Sequence, residues 1–91
     1  MFTLEVSSKF KKDAKRYNKD ANAKAIITEV ISLLVSGEPL PPKYKEHALI
    51  DNYVGYLECH GRPDLLLIYQ RDMKNGVIKL YRVGSHAQLF K

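Results

Sequence analysis

The segment "SGEPLPP", Ser36 to Pro42, constrains this chain more than any other. Its three prolines lack backbone N–H donors and Gly37 is free to take the left-handed conformation that closes a helix, so nothing helical continues through it. Residues before it follow a helical period after one opening strand. Residues after it are patterned as strands.

Phe2, Leu4 and Val6 alternate with Thr3, Glu5 and Ser7, as in a half-buried strand. Ser7 or Ser8 then predicts an N-cap. The helix it opens gathers Phe10, Ala14 and Tyr17 on one face, while Lys9, Lys11, Lys12, Lys15, Arg16 and Lys19 crowd the others. A polar joint at Asn18 to Asn22 leads into a second helix. Its stripe of Ile26, Ile27, Val30, Ile31 and Leu34, with Ala23 and Leu33 at the margins, is the main apolar wall. Together they predict a helix hairpin.

Beyond the prolines, Tyr53 to His60 predicts a second strand and Leu65 to Arg71 a third, whose unbroken apolar run suits a central position covered on both faces. Asn75-Gly76 fits a two-residue type I′ turn into a fourth strand, Val77 to Val83. That turn fixes a register in which Lys74 faces Val77 and Arg82 faces Tyr69. The expected fold is one α+β domain over residues 1–91. It is a βααβββ sandwich with the helix hairpin on one face of a mainly antiparallel sheet.

A chain of 91 residues suits a single core. The lone Cys59 excludes an internal disulfide and "MFTLEVSSKF" lacks the layout of a secretory signal, so the cytoplasm is the expected compartment. Apolar runs fall far short of the roughly 20 residues that span a bilayer, so no membrane partner is expected. A formal charge of +5 and a pI near 9.4 favour a polyanionic partner, nucleic acid first and an acidic protein second.

His47, His60 and His86 lie in or beside loops. A metal site built on Cys59 and His60 is disfavoured, since neighbouring strand residues point to opposite faces and no CxxC or HxxxH spacing is present; neither metal nor cofactor is expected. Cys59 as a nucleophile fails on the same geometry, His60 projecting away from it. Metal-free cleavage of RNA needs a base for the 2′-OH, an acid for the leaving 5′ oxygen and a cation for the charge developing on phosphorus. His60 and Asp64 flank a Gly-Arg-Pro turn, while Val-Gly-Ser separates Arg82 from His86. Both pairs sit at strand ends expected to be neighbours, although polar turns at sheet ends also collect such residues.

The ordered set His-x-Leu at 47–49, His60-x-x-Pro63-Asp64 and Arg82-x-Gly-Ser-His86-x-x-Leu-Phe90 resembles the YafQ-like branch of the RelE-type bacterial toxins, over nearly the whole chain and most strongly from Pro39 to Phe90. The resemblance implies a ribosome-dependent mRNA endonuclease, metal-free, acting in the decoding site of the 70S ribosome. It also implies a tightly bound cognate antitoxin, with operator DNA reached only through that partner. Carried over by position, His86 is the general acid and Asp64 with His60 the base side. His47 orients phosphate, Arg82 stabilises the phosphorane-like charge and Phe90 stacks on a base. The sequence is equally compatible with acid and base exchanged.

Glu58 keeps an acid where relatives have one, as a substrate-binding candidate or a solvated strand carboxylate. Leu57 and Leu65 depart from the family, which usually has arginine at the first and in some members tryptophan at the second. Lys11, Lys12, Lys15, Arg16 and Lys19 fit either contacts with ribosomal RNA or a solvated helix face. Two further readings are a weakened toxin kept as a binding module for its antitoxin, and a single-stranded RNA binder using Tyr53, Tyr56, Tyr69 and Tyr81.

Overall fold

The computed structural model describes residues 1–50 and 53–90. Strand β1 (Thr3–Val6) leads into helix α1 (Ser8–Ala14), where Ser7 Oγ accepts the Phe10 N–H at 3.0 Å as N-cap. A 3-10 turn, Lys15–Tyr17, joins α1 to α2 (Ala21–Ser36), which Asp20 caps by accepting the Ala23 N–H at 2.9 Å. Gly37 closes α2 with φ 84°. This is the left-handed stop anticipated before the prolines.

The second half folds as β2 (His47–Ala48), β3 (Leu57–Arg62), β4 (Leu65–Asp72) and β5 (Val77–Gly84), followed by the short α3 (His86–Leu89). The five-stranded sheet has the order β1-β5-β4-β3-β2, with β1 parallel to β5 and the other neighbours antiparallel. The α+β class and the βααβββ core stand as expected. The edge strand β2 and helix α3 are additions.

Central β4 is covered on both faces. Leu65, Leu67 and Tyr69 join Phe10, Ala23, Ile27, Val30 and Leu34 in the core beneath the helices. Leu66 and Ile68 face the other way, under Leu89, Tyr53, Tyr56, Tyr81 and Phe90. Ala23, expected at the margin of the α2 stripe, is fully buried.

Three expectations are corrected. First, the strand expected over Tyr53–His60 starts at Leu57 and runs to Arg62. Gly55 takes φ 91° and the Tyr56 N–H donates to Tyr53 O at 3.0 Å, a tight turn that keeps Tyr53–Gly55 out of the sheet. Second, the β4–β5 connection is four residues, not two, with Asp72 paired to Val77. Asp72 accepts the Asn75 backbone N–H at 3.0 Å and its side-chain amide at 2.9 Å, so Asp72 opens the turn and only Gly76 takes positive φ.

Third, Arg82 pairs with Ile68 rather than Tyr69. The wider turn sets Tyr69 opposite Leu80, and a β-bulge at Tyr81 then inserts one residue before Ile68 meets Arg82. Leu80 and Val83 both belong to the helix-side core while Tyr81 packs on the outer face, so the bulge turns two successive residues, Tyr81 and Arg82, outward. Without it, Arg82 would share the face of buried Tyr69.

Candidate active site

The register lays two rows of side chains across the outer face. His47, Glu58, Ile68 and Arg82 occupy one row across β2, β3, β4 and β5. His60, Leu66 and Gly84 form the next, with His86 two residues beyond Gly84. Leu66 and Ile68, in the middle of these rows, are buried beneath Leu89 and the outer aromatic side chains. The β3 and β5 groups stand two strand spacings apart, roughly 9–10 Å. The outer face thus has a histidine–carboxylate side and an arginine–histidine side.

On the β3 side, Glu58 is only 4% exposed. Its Oε1 lies 3.0 Å from His47 Nε2 and 3.2 Å from His60 Nε2, and its buried Oε2 has no hydrogen-bond partner among the described residues. The reading of Glu58 as a solvated carboxylate is therefore corrected. Glu58 and His60 are separated by two strand positions and share a face, whereas Cys59 between them points into the helix-side core. That i, i+2 spacing was the signal in the sequence. His47 Nδ1 lies 2.8 Å from the Lys45 carbonyl, with Lys45 held at φ 51°.

The expected pairing of His60 with Asp64 is also corrected. Gly61 is an extra residue in β3, so Arg62 pairs with Leu65 and swings to the helix side. A Cβ at Gly61 would meet Ile26 Cγ2 at 2.5 Å, so α2 packs directly on this bulge. Arg62 donates to Asp64 Oδ1 at 2.8 Å, to Asp20 Oδ2 at 2.8 Å and to Asn22 Oδ1 at 2.8 Å. Asp64, 70% exposed at its side chain, thus belongs to an ionic clasp on the start of α2, and the carboxylate touching His60 is Glu58. Arg62 holds Asp20 below the usual carboxylate range.

On the β5 side, Asp13 of α1 is 3% exposed and grips Arg82, accepting from Nε at 2.6 Å and Nη2 at 3.2 Å, and it also accepts the Val83 N–H at 3.2 Å. This fork raises the Arg82 pKa further, so the guanidinium is a permanent cation. Sequence reasoning missed Asp13. Its signal was an acid in the last turn of a helix, where the macrodipole disfavours one. His86 opens α3 behind the Ser85–Gln88 capping box and stacks on Phe90 at 4.7 Å between ring centroids. Phe90 also meets Tyr53 edge-on at 5.3 Å.

Lys11, Lys12, Lys15, Arg16 and Lys19 are all exposed. Lys12 and Arg16, with Lys9, line a groove of about 230 Å³ that reaches Arg82, so the basic helix adjoins the arginine side of the outer face. Leu57 and Leu65 face the helix-side core, so the family departures there remove nothing from the outer face. Tyr69 likewise points inward, donating to Glu46, and is separated from the outer tyrosines.

Cys59 is fully buried, and burial pushes its thiol up to about 12. Iodoacetamide at pH 8 is therefore expected to leave the folded chain unmodified over times in which it fully alkylates the urea-unfolded chain. Equal rates by mass spectrometry would contradict this burial.

His47, Glu58 and His60 are also the one metal-type cluster among the described residues, their ligand atoms all within 4.8 Å. Two imidazoles and a buried carboxylate with an orphaned oxygen fit a zinc- or copper-class ion. No described helix is long and apolar enough to cross a membrane.

A sheet whose outer face carries histidines, an acid and a clamped arginine, backed by a basic helix, gathers the types of group that nuclease chemistry requires. A family model described as "Bacterial toxin of type II toxin-antitoxin system, YafQ" matches residues 2–91, and the chain belongs to this YafQ family. It is 35% identical over 91 residues to an mRNA interferase toxin YafQ of Escherichia coli, covering 96% of this chain and 94% of that one. A metal-bound toxin from Helicobacter pylori superposes with a TM-score of 0.88 at 41% identity, covering 99% of this chain and all of the other. YafQ in the E. coli DinJ–YafQ complex superposes with a TM-score of 0.87 at 33% identity, covering both chains fully.

Proposed function

We propose that this chain is an mRNA interferase that cleaves RNA by acid–base attack of the 2′-OH. The observation that carries it is the shared outer face of the sheet: a buried carboxylate bearing two histidines on the β3 side, two strands from an arginine and a third histidine on the β5 side. Phosphate is held between these two sides. His60, oriented by Glu58, takes the 2′-OH proton, and His47 on the same carboxylate orients a non-bridging oxygen. Arg82 offers its guanidinium to the charge growing on phosphorus, and His86 protonates the leaving 5′ oxygen. Phe90, already stacked with His86, receives a base. Asp64 acts at one remove, holding the β3–β4 turn through Arg62.

Should the cluster at His47, Glu58 and His60 hold an ion, the groups holding it would be those that this acid–base reading uses on the β3 side. The sequence fits a cytoplasmic setting, and the DinJ–YafQ complex supports a cognate antitoxin as partner, operator DNA being reached only through it.

Cutting should depend on translation, with the basic face of α1 holding ribosomal RNA. Mapping 5′ ends on translated and untranslated copies of one transcript should give cuts only where wild type meets translated RNA. His86→Ala should lose them by about 10²–10⁴-fold while remaining folded. Full activity of a folded, antitoxin-free His86→Ala chain would remove His86 from the chemistry, and cuts in untranslated RNA would remove the ribosome. Reversing charge at Lys11, Lys12 and Lys15 should lower ribosome pelleting and flatten its salt dependence by about three phosphate contacts. Unchanged pelleting would return that face to plain solvation.

A further inference from the structure

His47 and His60 do more than sit near Glu58. A carbonyl oxygen can only accept, so His47 Nδ1, 2.8 Å from Lys45 O, carries the ring hydrogen, and a neutral His47 turns the Nε2 lone pair toward Glu58. A lone pair and a carboxylate oxygen 3.0 Å apart need a cation or a proton between them. His60 Nε2 reaches the same oxygen, and Glu58 Oε2 is buried with no hydrogen-bond partner among the described residues. The backbone carbonyl on the far nitrogen of His47 is the support that fixes metal-ligating histidines. Side-chain exposures of 47% for His47 and 35% for His60 leave the cluster open to solvent. An ion can enter without unfolding. Imidazole nitrogen with carboxylate selects zinc-, copper- or nickel-class ions over magnesium or calcium.

We propose that a zinc-class divalent ion, taken by His47 Nε2, the Glu58 carboxylate and His60 Nε2, switches the nuclease off. The inference rests on the acid–base reading above. His60 oriented through Nε2 by Glu58 keeps its basic lone pair on Nδ1, whereas with Nε2 on the ion the neutral ring carries its hydrogen on Nδ1 and has no lone pair left for the 2′-OH proton, so ion binding and cleavage are alternative states of one ring. Arg82 and His86, across Leu66 and Ile68, stay free but lack a base opposite them. Metal occupancy then sets the active fraction of a folded chain, without movement of the backbone.

The test uses zinc sulfate on the full antitoxin-free chain, first stripped with a zinc-selective chelator that leaves ribosomal magnesium in place. Calorimetry should show one zinc per chain, and proton NMR should show the ring signals of His47 and His60 shifting while that of His86 stays. Glu58→Gln and His47→Ala should each weaken zinc binding at least about tenfold. Cleavage of a translated transcript should fall at least about tenfold when the chain is loaded with one equivalent and desalted, and return on adding the chelator. Zinc bound with cleavage unchanged keeps the site and overturns the switch. A stripped chain that cuts but takes up no zinc overturns the proposal and leaves the nuclease reading standing. Cutting that appears only with zinc overturns both the switch and metal-free chemistry. A chain that binds zinc and never cuts overturns the nuclease reading and the switch with it.

Discussion

Replacing Glu58 by leucine should make the chain more stable and almost inactive. The carboxylate is buried with one oxygen unpartnered among the described residues, and such a group costs about 1–3 kcal/mol. Leucine of similar length removes that cost, while His47 and His60, both partly exposed, can turn to water. The expected gain is about 1–2 kcal/mol, or roughly 4–8 °C in melting midpoint for each kcal/mol in a domain of this size. Cleavage should fall about 10²–10⁴-fold, because His60 loses the group that orients it. Calorimetric melting and single-turnover cleavage on the same preparation decide the matter. A Glu58→Leu chain that melts earlier than wild type would mean that the carboxylate is structural.

Asp13→Ala should lower both quantities. The substitution removes three charge-assisted hydrogen bonds at once, two to Arg82 and one to the Val83 N–H, and it leaves that backbone donor buried. Arg82 is partly exposed and can rehydrate, so the loss should be about 2–3 kcal/mol, below the range for fully buried pairs. Urea midpoints measure it. Cleavage should drop roughly 10²-fold as the guanidinium loses its fixed position. Since Asp13 acts through Arg82, the double variant Asp13→Ala/Arg82→Ala should cleave no worse than Arg82→Ala alone. Additive losses would separate Asp13 from the arginine.

The site was legible in part, and unevenly. His47, His60, Arg82 and His86 stand out in the sequence as polar residues at strand ends and in a turn, and Phe90 only through the family resemblance. Asp64 was paired with the wrong neighbour: one extra residue at Gly61 turns Arg62 to the helix side, and Arg62 takes Asp64 with it. Glu58 was undervalued, since burial of a strand carboxylate depends on what covers it. Asp13 could not be paired with Arg82 from the sequence because the two lie 69 positions apart.

By itself the sequence determined much that local chemistry controls: the caps at Ser7 and Gly37, the helix stripes, the apolar run of β4 and the sheet-forming second half. It also determined that Cys59 and His60 face opposite ways, since alternation is a property of any strand. Only the tertiary structure decided which face each β5 residue took. The hydrogen bonds of Asp72 to Asn75 widened the turn, and the bulge at Tyr81 then shifted the register. Register is a property of two strands at once, and an inserted residue reverses every side chain beyond it. That reversal brings Arg82 onto the face of Glu58, where Asp13 can hold it.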